Sequence, residues 1–284
     1  MTRMEKICRV AVVLFVLLVV QVALSSDFQV RHAAGGQAHA LEVDNSYWYQ
    51  AIGDKLVVIR RQGNGQVATR MLTTYPAAAS CSDLLLTSNK LYALLDGKGV
   101  VTFSLRDAVV PVAEERFTSE KLSILPRDLV MVGDWPVAIG DGGAVRLTDG
   151  SQLLQTDGRV TGIAMSMNRG LVYAQDGLLF DGDTGEHLGV ATTLLPLDDN
   201  ANADIGTLVY TVNGESITEV GLLGGGVRSI DSAVGKVELR GAFRNMLSRG
   251  SRLIVTTDEA IYIIGIAPDE LRLMKTIEVE NAYD

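Results

Sequence analysis

One pattern constrains this chain more than any other. A short apolar strand, a tight turn built on Gly, Asp or Asn, and a second apolar strand recur six times. The first strands begin at residues 47, 90, 135, 170, 207 and 252, at intervals averaging about 41 residues. The turns between them are Gly53-Asp54, Asp96-Gly97-Lys98, Gly140-Asp141-Gly142, Asp176-Gly177, Asn213-Gly214 and Asp258-Glu259. Asp-Gly and Asn-Gly pairs between apolar runs are strong hairpin signals, because such turns need positive φ and glycine adopts it without steric penalty. Self-similarity at a fixed period of this size points to a repeat architecture.

Each hairpin is flanked by two further strand-like stretches. Ahead of it lie residues 41–43, 83–86, 129–132, 162–166 and 243–247, and the fifth unit has no clear counterpart. Behind it lie 67–72, 112–117, 152–155, 187–192, 226–230 and 271–279. Four short strands in about 40 residues make the blade of a β-propeller. After residue 26 no stretch of a dozen residues shows sustained helical periodicity with caps. Six such blades occupy about 240 residues, which the span 38–280 supplies. The expectation is therefore an all-β protein, with one propeller domain of six four-stranded blades over residues 27–284. Residues 28–32 would pair with the outer edge of the last blade and close the ring, since an unlocked ring leaves strand edges exposed. A seventh blade would need a repeat the chain does not display, and a β-sandwich or solenoid of the same hairpins is the alternative fold.

The amino terminus reads differently. Every residue from 10 to 20 is apolar, and the run resumes at Val22, Ala23 and Leu24 after Gln21. Arg3, Lys6 and Arg9 precede it and small residues close it at Ala23, Ser25 and Ser26, which is the layout of an export signal. Residues 1–26 are therefore expected to be a helical signal peptide cut after Ser25 or Ser26. The alternative is an uncleaved membrane anchor at residues 10–24, although this run is shorter than the roughly 20 apolar residues of a full span. Either way the rest of the chain is expected to be extracytoplasmic, periplasmic or secreted, touching a membrane only through that segment. Cys8 precedes the apolar run and so cannot carry the lipid of a lipoprotein signal. Cys81, the other cysteine, reads as a small buried hydrophobe beside Ala77, Ala78 and Ala79 rather than a reactive thiol.

The residues also resemble known repeats. The run Gly36-Gln37-Ala38, Leu41-Glu42-Val43, Tyr47-Trp48-Tyr49, Gly53-Asp54 and Lys55-Leu56-Val57-Val58-Ile59 resembles the LVIVD-type repeat. Phe180-Asp181-Gly182-Asp183-Thr184-Gly185-Glu186 is similar to the Asp-x-x-Thr-Gly-Glu turn of quinoprotein-like (PQQ-like) repeats. The Asp that ends the third strand of the first type is missing in most units, and the tryptophan of quinoprotein blades is absent after His187. The resemblance implies a propeller fold and an extracytoplasmic setting. It does not imply quinone chemistry, because fold does not fix function.

Little in the chain points to chemistry. Its net charge of −9, near −11 once the basic first nine residues are set aside, argues against nucleic acid, whose phosphates are held by clustered Lys and Arg. His32, His39 and His187 lack metal-ligand spacing. Gly63-Asn64-Gly65 opens like a dinucleotide fingerprint but lies between strands, as a hairpin tip does. Asp198, Asn200, Asn202 and Asp204 place oxygens at every second position, as a calcium loop begins. Ala203 and Val209 then stand where that loop needs its glycine and its bidentate glutamate, so a solvated inter-blade loop is expected. Asp181-Gly182-Asp183-Thr184-Gly185 reads as a β-turn, and Gly221-Leu222-Leu223-Gly224-Gly225-Gly226 as a contact tip or a permissive turn. Alternation sends Trp48 to one sheet face and Tyr47 and Tyr49 to the other, as core. No catalytic, cofactor-binding or metal residue is assigned, and no cofactor. The leading expectation is a non-catalytic interaction or ligand-recognition module with a protein or small-molecule partner. The alternative is a propeller enzyme, lactonase-like or quinoprotein-like, using acidic side chains from several blades in the central funnel.

Overall fold

A computed structural model describes residues 38–44, 46–52, 55–61, 67–72, 79–108, 110–166, 170–196, 208–223, 235–267 and 270–278. The expected export segment 1–26, Cys8, His32, the closing strand at 28–32, the Gly63-Asn64-Gly65 tip, the loop 198–204, the glycines at 224–226 and the strand expected at 226–230 lie outside the described residues. Two compact units divide the described chain, the first ending at Leu129 and the second beginning at Val130.

The strands run in order β1 (Ala38–Val43), β2 (Tyr47–Ile52), β3 (Lys55–Arg61), β4 (Val67–Leu72), β5 (Cys81–Leu86), β6 (Lys90–Leu95), β7 (Gly99–Ser104) and β8 (Val112–Phe117). A single-turn helix α1 (Ser119–Leu122) precedes β9 (Leu125–Val132), β10 (Trp135–Arg146) and β11 (Gln152–Ser166). Then come β12 (Gly170–Gln175), β13 (Leu178–Asp181), β14 (His187–Val190), β15 (Thr193–Pro196), β16 (Leu208–Asn213), β17 (Ile217–Leu223) and β18 (Gly235–Arg240). The last sheet is β19 (Phe243–Arg249), β20 (Arg252–Thr257), β21 (Ala260–Ala267) and β22 (Glu270–Glu278).

These strands make an all-β propeller arrangement, with five sheets among the described residues rather than the six blades expected. Four sheets are four-stranded meanders, β1 to β4, β5 to β8, β15 to β18 and β19 to β22. The third and fourth expected units share one six-stranded sheet, ordered β14-β13-β12-β11-β10-β9. The merger has a simple cause. β11 runs for 15 residues, so the last strand of the third unit continues without interruption into the first strand of the fourth. The chain still reverses within β10, where Leu147 N–H reaches back to Pro136 O at 2.8 Å and Gly142 and Gly143 take φ of +98° and +139°.

The turn aspartates do more than permit a reversal. Asp96, Asp176 and Asp258 each donate a backbone N–H to a carbonyl ahead of or inside the first strand of their unit: Ser80 at 3.0 Å, Arg159 at 3.3 Å and Ala242 at 3.0 Å. Each carboxylate also accepts from the same residue, from Ser80 Oγ at 2.9 Å, Arg159 N–H at 3.4 Å and Ala242 N–H at 2.6 Å. Three strands of a sheet are thereby tied at one end by a single side chain.

Apolar residues alternating along the middle strands supply the packing. In the first unit Tyr49, Leu56 and Val58 meet Cys81, Leu84, Leu91, Leu95 and Phe103 in one buried cluster. In the second unit Val220, Leu222 and Leu239 meet Leu253, Val255, Tyr262 and Ile264, so Leu222 is a core residue of β17 and not part of a contact tip. Polar ties cross between sheets there as well: Tyr262 hydroxyl accepts from Arg240 N–H and donates to Arg240 O, both at 3.1 Å. Thr161 Oγ1 donates to Thr192 O at 2.7 Å, and Thr193 Oγ1 returns a bond to Thr161 O at 2.9 Å.

Gly99 opens β7 at φ +100°, and a Cβ there would run into the carbonyl oxygen of Phe117. Gly99→Ala is therefore expected to destabilise the protein by about 2–4 kcal/mol in urea unfolding. Tyr262→Phe, which removes both bonds to Arg240 while preserving the ring, is expected to lose about 1 kcal/mol in the same measurement.

Candidate functional site

Strands β1, β5, β11 and β19 share an irregularity absent from the hairpins that follow them. Register shifts occur between Ala38 and Ala40, Cys81 and Asp83, Val160 and Gly162, and Phe243 and Asn245, each a β-bulge against the neighbouring strand. A bulge leaves one residue unpaired and re-aims the strand beyond it. In β5 and β19 a short polar side chain then caps the next amide: Leu84 N–H donates to Asp83 Oδ1 and Met246 N–H to Asn245 Oδ1, both at 2.8 Å. Asp128 in β9 makes the same local bond to Leu129 N–H at 2.9 Å. Sequence reasoning missed this motif, although a signal is there. Ser82-Asp83-Leu84, Arg127-Asp128-Leu129 and Arg244-Asn245-Met246 each set an Asp or Asn between a polar residue and an apolar run.

In the first unit this motif gathers carboxyl groups. Leu129 N–H also donates to Asp83 Oδ2 at 2.9 Å, so one amide serves Asp83 and Asp128 together. Burial pushes the Asp83 carboxyl well above the usual carboxylate range, and the negative charge and hydrogen bond of Asp128 push in the same direction. Glu42 in β1, the strand packed against β5, is pushed up to about 7 by burial, opposed by the Val43 and Leu86 N–H groups that favour its charged form. Asp83 and Glu42 are the raised carboxyls among the described residues, and perturbed titration marks functional positions more often than chance. Glu42 can therefore hold and exchange a proton near neutrality. Among the described residues no three His, Cys, Asp or Glu side chains are grouped as a metal would need.

The structure scatters the residues singled out from sequence. Cys81 is fully buried in the first-unit cluster, its thiol directed at Asp83 O at 3.1 Å. Tyr49 is fully buried, its hydroxyl donating to Ala108 O at 3.4 Å, and Tyr47 shares its face with ring centroids 6.5 Å apart. Trp48 is half-buried. Asp181 is buried and folds its own turn, with Oδ1 accepting from Asp183 and Thr184 N–H and Gly185 at φ +70°. His187 opens the edge strand β14 with its ring 5.7 Å from Phe180, which stacks on Tyr173 at 5.3 Å. His39 lies on β1. These residues do not converge on one place.

The second unit presents an exposed aromatic that alternation alone could not reveal. Trp135 keeps 39% of its surface in solvent, with the Arg146 guanidinium 4.7 Å from its ring centre. Asp149 and Ser151 hold that guanidinium, through bonds of 2.9–3.1 Å and 2.8–3.0 Å respectively. The pair is thus held in place by bonds of its own turn.

No family model matches the chain, and no curated protein matches it. Solved structures share its fold. A chain in the crystal structure of the mitotic checkpoint complex superposes with a TM-score of 0.58 at 12% identity, over 91% of this chain and 85% of that one. BamB from Moraxella catarrhalis gives 0.52 at 15% identity, over 87% of this chain and 76% of its own. PorZ of Porphyromonas gingivalis, a bacterial surface component of the type-IX secretion system, gives 0.57 at 13% identity, over 86% of this chain and 33% of its own. Likeness at such identities carries the propeller arrangement and nothing finer. Among the described residues no helix is long and apolar enough to cross a membrane.

The raised Glu42 carboxyl fixes the sign of a pH effect. Folded Glu42 binds its proton more tightly than the unfolded chain does, so it opposes stability increasingly as pH climbs from about 4.5 to about 7, and the deficit is constant above that. Wild-type urea midpoints are expected to fall between pH 5 and pH 8. Glu42→Gln should recover about 1–3 kcal/mol at pH 8 and little at pH 4, leaving the slope that Asp83 contributes.

Proposed function

We propose that the protein is a non-catalytic, extracytoplasmic β-propeller, a single domain over residues 27–284, that serves as an interaction module for a protein partner. The observation that carries this reading is the Trp135–Arg146 pair, exposed yet held rigid by Asp149 and Ser151. Trp and Arg dominate the binding energy of protein interfaces, and a pair already ordered loses little conformational entropy on docking. The basic first nine residues and apolar run at 10–24 support export, and PorZ provides a precedent of the same fold at a bacterial surface. Kinship with LVIVD-type or quinoprotein-like repeats is part of the proposal and rests on the motif residues around Tyr47 and Asp181.

The competing reading, an enzyme drawing on acidic side chains of several blades, has Glu42, Asp83 and Asp128 in its favour. Metal analysis of the purified protein with thermal shift on adding calcium separates the two. A bound ion or a rise in Tm selects the enzyme.

For the module, the expected outcome is that the chain from gently lysed cells elutes in a complex larger than its own 30.5 kDa. Trp135→Ala with Arg146→Ala should return it to its own size with Tm unchanged. Elution of the wild type at its own size, or a complex indifferent to the double substitution, would sink the proposal.

A further inference from the structure

The reversal inside β10 brings two turns to the same end of its sheet. Gly133-Asp134 leads into Trp135 and Thr148-Asp149-Gly150-Ser151 follows Arg146, while the bond from Leu147 N–H to Pro136 O, 2.8 Å long, sets the two stretches side by side. The Arg146 guanidinium takes one face of the Trp135 ring, and the indole nonetheless stays exposed. Its remaining surface is what a partner can reach. The exposed residues of the two turns are Gly133, Asp134, Thr148 and Asp149, and none of them carries a large apolar side chain.

We propose that the partner presents a basic segment, one Lys or Arg of which lies on the open part of the Trp135 ring with Asp134 and Asp149 as its counter-charges. This rests on the reading of the Trp135–Arg146 pair as a docking site and adds the chemistry of what docks there.

The surroundings of the ring decide between an apolar anchor and a cationic one. A leucine or phenylalanine from a partner would meet a single indole inside a polar, acidic rim, whereas an apolar hot spot needs a well-packed and fully desolvated pocket. A Lys or Arg instead lays its methylene stem along an aromatic ring and keeps its charged head at the wet margin. The carboxylates to receive that head are in place. Asp134 adjoins the indole in sequence, is exposed, and forms no ion pair among the described residues. Asp149 meets Arg146 and Ser151 and still leaves 51% of its side chain in solvent. Arg146 does not repel the newcomer, because the Asp149 carboxylate neutralises it at 2.9 Å. Two negative charges against one positive leave this end acidic, as is the chain as a whole at −9. A basic segment is therefore drawn toward the molecule by its field and sorted at the ring.

The chain has two tryptophans, so Trp48→Phe leaves Trp135 as the sole indole reporter. Its fluorescence is followed while a blocked octapeptide of alternating Gly and Arg is added, and separately the same peptide with Glu in place of Arg. The Arg peptide should change the emission saturably and the Glu peptide should not. Raising salt from about 50 to about 300 mM should weaken the Arg peptide at least about threefold, as screening shortens the reach of the carboxylates. In calorimetric titrations of otherwise wild-type protein, which also serve if Trp48→Phe does not fold, Asp134→Asn should cost at least about threefold in Kd and Trp135→Ala about tenfold. Glu215→Gln, in the exposed turn between β16 and β17, should cost nothing. No binding of the Arg peptide, equal binding of the Glu peptide, or a loss at Glu215 as large as that at Asp134 would overturn the basic partner. A cellular complex broken by Trp135→Ala with Arg146→Ala, in a protein that ignores the Arg peptide, would reject the basic segment and keep the docking site. Absence of such a complex would remove the docking site itself.

Discussion

The bond from a turn aspartate back to the start of its own sheet sets the geometry on which the other contacts rest. Asp96 and Asp258 link the turn between second and third strands to the residue just ahead of the first strand, and Asp176 links its turn to Arg159 within β11. Without that link the first strand would be held at its end only by the ladder, which the adjacent bulges weaken at Cys81–Asp83, Val160–Gly162 and Phe243–Asn245. Bulge and hook therefore belong together. The bulge re-aims the strand, and the carboxylate returns the hydrogen bonds that the bulge removes from the ladder.

Much of the fold was legible because its turns are chemically loud. Strands β2, β6, β7, β12, β13 and β20 begin and end where the sequence places them, each bounded by Gly, Asp or Asn. The misses occurred where such punctuation is lacking. β15 is four residues long and follows β14 after only two, which hid the fifth unit's first strand. β9 begins earlier than expected because Pro126, which ordinarily argues against a strand, is tolerated at a sheet edge. β18 carries Lys236, Glu238 and Arg240 in alternation with Val237 and Leu239, a polar outer strand that an apolar search passes over. The six-blade count fell because β11 runs straight through Asp157-Gly158, a pair that elsewhere marks a turn.

The site was far less legible than the fold. Asp83 and Asp128 lie 45 positions apart, and nothing local shows that they meet at one amide. Glu42 sits in a short strand, and nothing in its own stretch shows that the neighbouring β5 covers it. Trp135 was visible as an aromatic in a hairpin strand. Its exposure depends on Arg146, which lies on the returning half of β10 and caps the ring instead of apolar packing. In each instance the deciding contact comes from another strand, which is where single-sequence inference loses its hold.

The uninterrupted β11 has a consequence for how the second unit comes apart. A four-stranded sheet bounded by loops can open as its own cooperative element, whereas the strands paired on either half of β11 are fastened to one continuous backbone. Pulling on β14 or on β9 loads the same rod from opposite sides. That sheet should yield in one step, as the largest foldon of the chain, while its four-stranded neighbours fray singly.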